Sequence, residues 1–245
     1  MKKHVLRLLL MASLLMGAVS MAADKLYVGT NAEFEPFEYL KDGKITGFDM
    51  DLIAEVAKLT GKEIEIKNIA FDGLLPALQT KKLDIVIAGM TATEERKKSV
   101  NFSDTYYISQ QMIVLNKEAG TGIKTFDDLP GKIVGVVLGY TGDIAVSEIE
   151  GVKSVVRYNG TGEAIMALKA KKVDAVVLDS EPAVKYAGQN PELVTLETDA
   201  AKEEYAIALR KEDTKLLEDI NKALKTLNEN GTTRKLLEKY GLIKD

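Results

Sequence analysis

The sequence predicts an α/β protein made of two similar lobes, and a partial internal repeat is the main reason. Residues 77–89 and 167–179 share Ala, Leu, two Lys, Asp and one Val at matching positions. In each copy a helix-like stretch leads through Lys-Lys into a short apolar segment, which is typical of a buried parallel strand. The elements around the two copies also follow the same order. Helix–turn–strand units resemble one another by chance in many α/β proteins, so the repeat alone leaves that alternative open.

The first lobe is predicted to alternate strands and helices. Its strands are expected at residues 26–30, 63–68 and 83–88, and its helices at 47–60, at 72–80 and from 93 onward. Asp49 stands where the first of these helices needs an N-cap, and Gly61 is its predicted stop. Phe37 and Phe48 are assigned to the core. A long extended run at 109–116 then connects to the second lobe.

The second lobe repeats this plan. Its strands are expected at 132–137, 154–158, 173–178 and 193–196, and its helices at 142–149, 162–170 and 180–188. Residues 204–209 form a second extended crossing, and 213–240 form two amphipathic helices broken at Asn230-Gly231. We therefore predict a discontinuous first lobe, residues 23–110 and 205–245, and a second lobe, residues 111–204. Two extended strands join them and can act as a hinge.

The first 22 residues have the features of a signal peptide. Basic residues at 2, 3 and 7 precede an apolar stretch at 8–19, and small residues follow at 20–22. We expect this segment to be removed on export. The chain contains no cysteine, so the lipid anchor of an exported lipoprotein, which needs a cysteine just after the cleavage site, is not expected. The predicted location is therefore the periplasm, as a free protein.

Composition excludes several kinds of function. The formal charge of −4 argues against nucleic acid and anionic membranes as partners. His4 is the only histidine and lies in the segment to be removed, so cysteine or histidine nucleophiles and ordinary zinc sites are not expected. No calcium-binding, phosphate-binding or dinucleotide-binding motif is visible. We predict no cofactor and no metal.

A candidate anion site follows the predicted strand 83–88. Gly89 allows a ligand to approach the backbone, Thr91 offers a hydroxyl group, and the guanidinium of Arg96 suits a carboxylate. In the alternative interpretation, Arg96 pairs with Glu94 or Glu95 on a solvated helix.

A candidate cation site follows the predicted strand 173–178. Asp179 ends this apolar segment, where it can cap the next helix or receive an ammonium group. Val137 ends another strand and is followed by Gly139-Tyr140-Thr141-Gly142, where the N–H groups of a helix start would favour an anion.

Aromatic residues complete the predicted cleft. Phe34 is flanked by Glu33, Glu35 and Pro36 and is therefore less easily buried, and with Phe71 it could sandwich the stem of a small ligand. Asn31 would meet a polar end of that ligand. This set of groups is complementary to a zwitterionic α-amino acid.

The chain resembles the polar amino-acid-binding proteins of bacterial ABC importers, family 3 of the periplasmic solute-binding proteins. The resemblance covers the mature chain from about 25 to 244 and rests on motifs at 28–39, 47–52, 71–79, 88–96 and 102–107. It implies two lobes, each with a central, mostly parallel sheet flanked by helices, joined by two hinge strands. It also implies a monomer, not an enzyme, that delivers a free L-amino acid to ABC permease subunits.

The resemblance also implies roles for individual residues. Arg96, with Thr91 and a backbone N–H near Thr141, should hold the ligand carboxylate, while Asp179 and the Gly89 carbonyl should take the ammonium group. The full predicted site is Asn31, Phe34, Phe71, Ala88, Gly89, Met90, Thr91, Arg96, Val137, Tyr140, Thr141 and Asp179.

Three positions depart from the commonest family pattern and leave the ligand open. Asn31 stands where binders of basic amino acids often have Asp, Val137 where Gln or Lys is frequent, and Tyr140 where Thr is usual. The ligand could be glutamine, arginine or another polar amino acid, and Tyr140 would narrow the pocket. If the ligand is basic, Glu33 or Asp72 could supply the missing acid.

Two other functions use the same fold. A periplasmic enzyme of the cyclohexadienyl dehydratase type would need a placed acid, for which Glu33 or Glu181 could be proposed. The sensing domain of a membrane receptor is a further possibility, but the sequence shows no signalling module.

Overall fold

The structure is a computed structural model that describes residues 25–119 and 121–243, so the predicted signal peptide lies outside the described residues. Within these ranges the strands are β1 Lys25–Thr30, β2 Glu33–Phe34, β3 Glu38–Lys41, β4 Lys44–Thr46, β5 Glu63–Asn68, β6 Ile85–Val86, β7 Asn101–Phe102, β8 Tyr107–Asn116, β9 Ile133–Val137, β10 Ser154–Tyr158, β11 Ala175–Asp179, β12 Leu193–Tyr205 and β13 Ala208–Leu209. The α-helices are α1 Phe48–Thr60, α2 Leu74–Gln79, α3 Glu94–Ser99, α4 Thr141–Ser147, α5 Thr161–Lys169, α6 Ser180–Gln189, α7 Thr214–Glu229 and α8 Thr232–Lys239.

Two five-stranded sheets form the centres of the two lobes, which confirms the predicted fold class. The first sheet has the order β5-β1-β6-β13-β7 and the second the order β10-β9-β11-β8-β12. In each, three consecutive strands are parallel and the remaining two pairings are antiparallel. The carboxyl ends of parallel strands are the usual place for a ligand in such sheets.

The internal repeat corresponds to a structural repeat. Lys81 and Lys171 both take a left-handed backbone conformation, with φ of 62° and 56°, where the helix turns toward the strand. The carboxylates of Asp84 and Asp174 each accept a hydrogen bond from a backbone N–H of the adjacent strand, β1 or β9, at 2.9 and 2.7 Å. The shared Lys and Asp residues therefore make the same turn and the same strand contact in both lobes.

The two lobes are joined by long strands. β8 and β12 pair antiparallel in the second sheet, and beyond them the chain enters β13 of the first sheet. Pairing is interrupted by a register shift between Glu197 and Lys202. The predicted lobe boundaries at 110/111 and 204/205 fall within β8 and at the end of β12, and they stay predictions.

Several predicted elements differ in the structure. The N-cap of α1 is Gly47, and Asp49 is a fully buried residue of its first turn, so the predicted capping role of Asp49 is wrong. The predicted strand 83–88 is only β6, and the predicted helix 72–80 begins with a 3-10 turn, Phe71–Gly73. Phe37 and Phe48 are fully buried, as predicted. None of the helices that the structure describes is both long and apolar enough to span a membrane.

Candidate functional site

Nine of the twelve predicted site residues line one narrow cavity between the lobes. Its volume is about 10 Å³, roughly the space that one water molecule needs. The lining residues are Phe34, Phe71, Ala88, Gly89, Thr91, Arg96, Tyr140, Thr141 and Asp179. The two groups predicted to bind opposite charges, Arg96 and Asp179, therefore face the same space.

Arg96 lies in the first turns of α3 and points away from the acids on its own helix. Thr93 caps this helix by accepting a hydrogen bond from the Arg96 backbone N–H at 3.2 Å. The guanidinium donates to the Thr91 carbonyl at 2.8 Å and to the Gly139 carbonyl of the second lobe at 2.9 Å, and it lies over the Phe71 ring.

The alternative pairing of Arg96 with its helix neighbours is wrong. Glu94 pairs with Lys97 and Glu95 with Lys98, on the solvent side of α3. Burial lowers the pKa of Arg96, while the nearby Glu203 and Asp179 carboxylates raise it. Because a guanidinium stays protonated in proteins, the cavity keeps one fixed positive charge.

Asp179 ends β11 on the second lobe and is only 3% exposed. It occupies the N-cap position of α6, but its side chain makes no capping hydrogen bond. Instead, its two oxygens accept hydrogen bonds from the Gln111 amide and the Tyr205 hydroxyl group. The Asp179 side chain is therefore held in the cavity wall and does not cap α6.

Burial, and next the neighbouring Glu203 carboxylate, raises the pKa of Asp179 from 3.8 to about 8. The hydrogen bonds from Tyr205 and Gln111 oppose this shift. At neutral pH the Asp179 carboxyl group is therefore mostly protonated, and a cation placed against it would favour the charged form.

Gln111 and Glu203 bond to residues that line the candidate cavity, and the sequence analysis did not name them. The Gln111 amide donates to Thr141 Oγ1 at 3.0 Å and to Glu203 Oε1 at 3.2 Å. Glu203 Oε2 accepts from Thr91 Oγ1 at 2.6 Å, which links the two lobes. Both residues lie on the paired strands β8 and β12. Side chains two residues apart on a strand lie on the same face of the sheet. The pairs Ser109/Gln111 and Glu203/Tyr205 could therefore have indicated which face of these strands points toward the site.

Gly89 is positioned by Asp49, the buried residue for which a helix-capping role was predicted. Its backbone N–H donates to Asp49 Oδ2 at 2.9 Å, and the Tyr106 hydroxyl group donates to the same oxygen at 2.8 Å. Gly89 has φ +51°, and a Cβ atom there would lie 2.4 Å from the Phe34 ring. The position therefore requires glycine for both its conformation and its close contact.

Glu38 lies beside Asp49, and both are fully buried. Among the described residues, both oxygens of Glu38 and Oδ1 of Asp49 have no hydrogen-bond partner if both groups are written as carboxylates. Burial, and next the Asp49 charge, raises the pKa of Glu38 well above 4.5, while burial raises the pKa of Asp49 to about 6. One proton on Glu38, donated to Asp49 Oδ1, pairs two of these three oxygens and agrees with the raised pKa of both groups; the second Glu38 oxygen stays without a partner among the described residues.

The aromatic part of the site includes a third ring. Tyr140 lies next to Phe71, with ring centroids 4.4 Å apart, and edge-on to Phe34, with centroids 5.5 Å apart. Its hydroxyl group donates to Asn31 Oδ1 at 3.3 Å. Phe34 is 2% exposed, so the expectation that its charged neighbours would leave it less buried is wrong. It stacks on Phe37 of the first-lobe core.

Three predicted site residues do not line the cavity. Met90 and Val137 are buried in the core, each 1% exposed. Asn31 donates to the Ile69 carbonyl and lines a neighbouring, more open cavity together with Glu33 and residues of both lobes. Asn31 is thus connected to the site by its hydrogen bond with the Tyr140 hydroxyl group. Among residues 25–119 and 121–243, no group of three or more His, Cys, Asp or Glu side chains is placed to hold a metal ion.

The arrangement suits a small zwitterion. When the lobes part to admit a ligand, the Arg96 guanidinium can bind an anionic group and the Asp179 carboxyl group can bind a cationic one, from opposite lobes. In a space from which water is largely excluded, each contact with an opposite charge is stronger than in water.

Comparisons with known proteins agree with this description. Residues 26–243 match the family described as bacterial extracellular solute-binding proteins, family 3. The chain is 40% identical over 222 residues to the arginine-binding extracellular protein ArtP of Bacillus subtilis (strain 168), a match that covers 88% of this chain and 86% of that protein. It is 34% identical over 246 residues to the ABC transporter arginine-binding protein 1 of Escherichia coli (strain K12), covering 98% and 99%.

A solved structure shows the same architecture. An ancestral arginine-binding protein bound to glutamine superposes with a TM-score of 0.85 and 44% identity, over 89% of this chain and 98% of that chain.

Proposed function

Because this chain belongs to family 3 of the bacterial extracellular solute-binding proteins, we propose that it captures a polar L-amino acid between its lobes and delivers it to the permease of an ABC importer. It would do so in the periplasm, as a monomer, after removal of residues 1–22.

One observation carries the proposal: Arg96 and Asp179, on opposite lobes, line the same buried cavity. Arg96 would bind the ligand carboxylate through its planar guanidinium, with support from Thr91 and the backbone at Thr141. Asp179 would bind the ammonium group together with the Gly89 carbonyl. The pKa of Asp179, about 8, means that an ammonium group would displace a proton as it binds at neutral pH.

Lobe closure would couple binding to transport. In the structure the lobes already touch through Arg96 and the Gly139 carbonyl at 2.9 Å, and through an ion pair between Glu35 and Lys185 at 3.2 Å. We expect the lobes to rotate about the crossings near 108–112 and 204–206, so that a ligand held by both lobes favours the closed form. The permease would then recognise a surface made of both lobes.

The ligand belongs to the polar amino acids, and arginine and glutamine are the first to test. Two relatives are named for arginine, and the solved ancestral arginine-binding protein holds glutamine. The dehydratase alternative has less support. Glu181 bonds to Tyr107 and Ser109, and Glu33 lines the neighbouring cavity, so neither candidate acid lines the cavity with Arg96.

The experiment is a thermal-shift screen of the twenty amino acids on the mature protein, followed by calorimetry of those that stabilise it. A ligand at ~100 times its dissociation constant should add about 2.7 kcal/mol to the unfolding free energy. A screen in which no amino acid raises the melting temperature, repeated by calorimetry without heat of binding, would refute the proposal.

A further inference from the structure

We propose that Tyr140 determines which side chains the site accepts, because its ring occupies the slot between Phe34 and Phe71. This inference rests on the proposed function, since it concerns the side chain of an amino acid whose charged ends are held by Arg96 and Asp179. It assigns to the protein a preference for short polar side chains, such as that of serine, over long ones, such as that of arginine.

The ring of Tyr140 fills the slot from the second lobe. Its centroid lies 4.4 Å from that of Phe71 and 5.5 Å from that of Phe34, and the rings make tilted and edge-on contacts. Both distances lie in or near the range in which aromatic pairs attract one another. The slot that would flank a ligand side chain is therefore occupied by a side chain of the protein itself.

Tyr140 is fixed at its hydroxyl group and at its backbone. The hydroxyl group donates to Asn31 Oδ1 at 3.3 Å, and the side chain is 6% exposed. The carbonyl of the preceding residue, Gly139, accepts a hydrogen bond from Arg96 at 2.9 Å, and the Gly139 N–H donates one to Asp143 Oδ2 at 3.2 Å. Rotating the ring out of the slot breaks the contacts with both phenylalanines and the bond to Asn31.

The cost of this rotation depends on the length of the ligand side chain. Arg96 and Asp179 would hold the carboxylate and ammonium groups at one end of the cavity, and the side chain would extend from there between Phe34 and Phe71. The closed cavity has a volume of only about 10 Å³, so the lobes must part to admit any amino acid. When they close again, a short side chain leaves the Tyr140 ring nearer to its observed position than a long one does. Long side chains therefore require the Tyr140 ring to move further from Phe34 and Phe71 than short ones do.

The experiment measures the dissociation constants of serine, glutamine and arginine by calorimetry for the wild type, Tyr140→Thr and Tyr140→Phe. Threonine removes the ring but keeps a hydroxyl group, and phenylalanine keeps the ring while removing the hydroxyl group. In Tyr140→Thr, the ratio of the arginine dissociation constant to the serine dissociation constant should fall by about tenfold. This is the change expected if arginine no longer has to break two aromatic contacts when it binds. Tyr140→Phe should keep most of the wild-type ratio.

The ratio compares two ligands on the same variant, so a general loss of stability cancels. If Tyr140→Thr does not fold, as judged by circular dichroism, Tyr140→Leu takes its place, because leucine is shorter than the ring and should lower the ratio in the same direction. An unchanged ratio, or a wild type that binds arginine more tightly than serine, would overturn the inference and leave the proposed function intact. Failure of the wild type to bind any amino acid would instead refute the proposed function.

Discussion

Replacing Arg96 with alanine should weaken amino-acid binding more than any other single change in the site. The guanidinium is partly buried, and both of its observed bonds go to backbone carbonyls, at 2.8 and 2.9 Å. A ligand carboxylate would add charge-assisted hydrogen bonds that the variant cannot make.

The size of the effect follows from these contacts. Two hydrogen bonds between a guanidinium and a carboxylate contribute about 1.5–3 kcal/mol each, and the loss of the Gly139 contact on binding offsets about 1 kcal/mol. A net loss of about 2–5 kcal/mol is expected, which agrees with truncation of other buried charge pairs. Affinity should therefore fall between about thirtyfold and several thousandfold.

Calorimetry with two ligands separates this contact from general damage. The amino acid found by the screen should lose affinity in Arg96→Ala, whereas the same molecule without its carboxylate should bind wild type and variant about equally. Arg234→Ala is a matched control, because Arg234 pairs with Glu238 on α8 and its side chain is 76% exposed. Equal losses for both ligands, or an unchanged affinity for the amino acid, would show that Arg96 does not bind the carboxylate.

Further predictions follow from the buried acids and from one glycine. Because the pKa of Asp179 is raised from 3.8 to about 8, the folded protein binds this proton more tightly than the unfolded chain does. Its contribution to stability should thus fall as pH rises through that interval, and the difference in unfolding free energy between wild type and Asp179→Asn should show this dependence. In the wild type, amino-acid affinity should rise from about pH 6 to about pH 8, as Asp179 loses its proton. In Asp179→Asn, the affinity should be much weaker and should not change with pH in this way. An unchanged affinity in this variant would contradict the assignment of the ammonium site. Gly89→Ala should destabilise the protein by at least about 1 kcal/mol in denaturant unfolding. Its Cβ would lie 2.4 Å from the Phe34 ring, whereas Gly43→Ala, also at positive φ but with no atom within 4 Å, should cost less. Glu38→Gln should remove a protonated carboxyl band from the infrared spectrum near neutral pH, and a spectrum identical to that of the wild type would contradict the shared proton.

The sequence allowed the lobes and the charged ends of the site to be predicted because each left a local signal. The Lys-Lys-x-Asp repeat encodes a local turn at Lys81 and Lys171, which leads into the buried strand that the apolar segment predicts. Arg96 and Asp179 each follow a short apolar strand, and strand ends converge in sheets of this kind. Their placement in one cavity therefore needed only the order of elements.

Other features depend on contacts between distant parts of the chain, which local patterns do not reveal. Asp49 has the spacing of a helix cap, but the structure uses it to hold Gly89, forty residues away. Phe34 is surrounded by charged residues in the sequence, yet it is covered by Tyr140 from the other lobe. Glu203 joins the site only because β12 pairs with β8.

The most direct test is a crystal structure of the mature protein with the amino acid that it binds most tightly. The ligand carboxylate should lie within hydrogen-bond distance of the Arg96 guanidinium, and the ammonium group should contact the Asp179 carboxylate and the Gly89 carbonyl. A ligand bound outside this cavity, or one with its charged ends directed away from Arg96 and Asp179, would contradict the proposal.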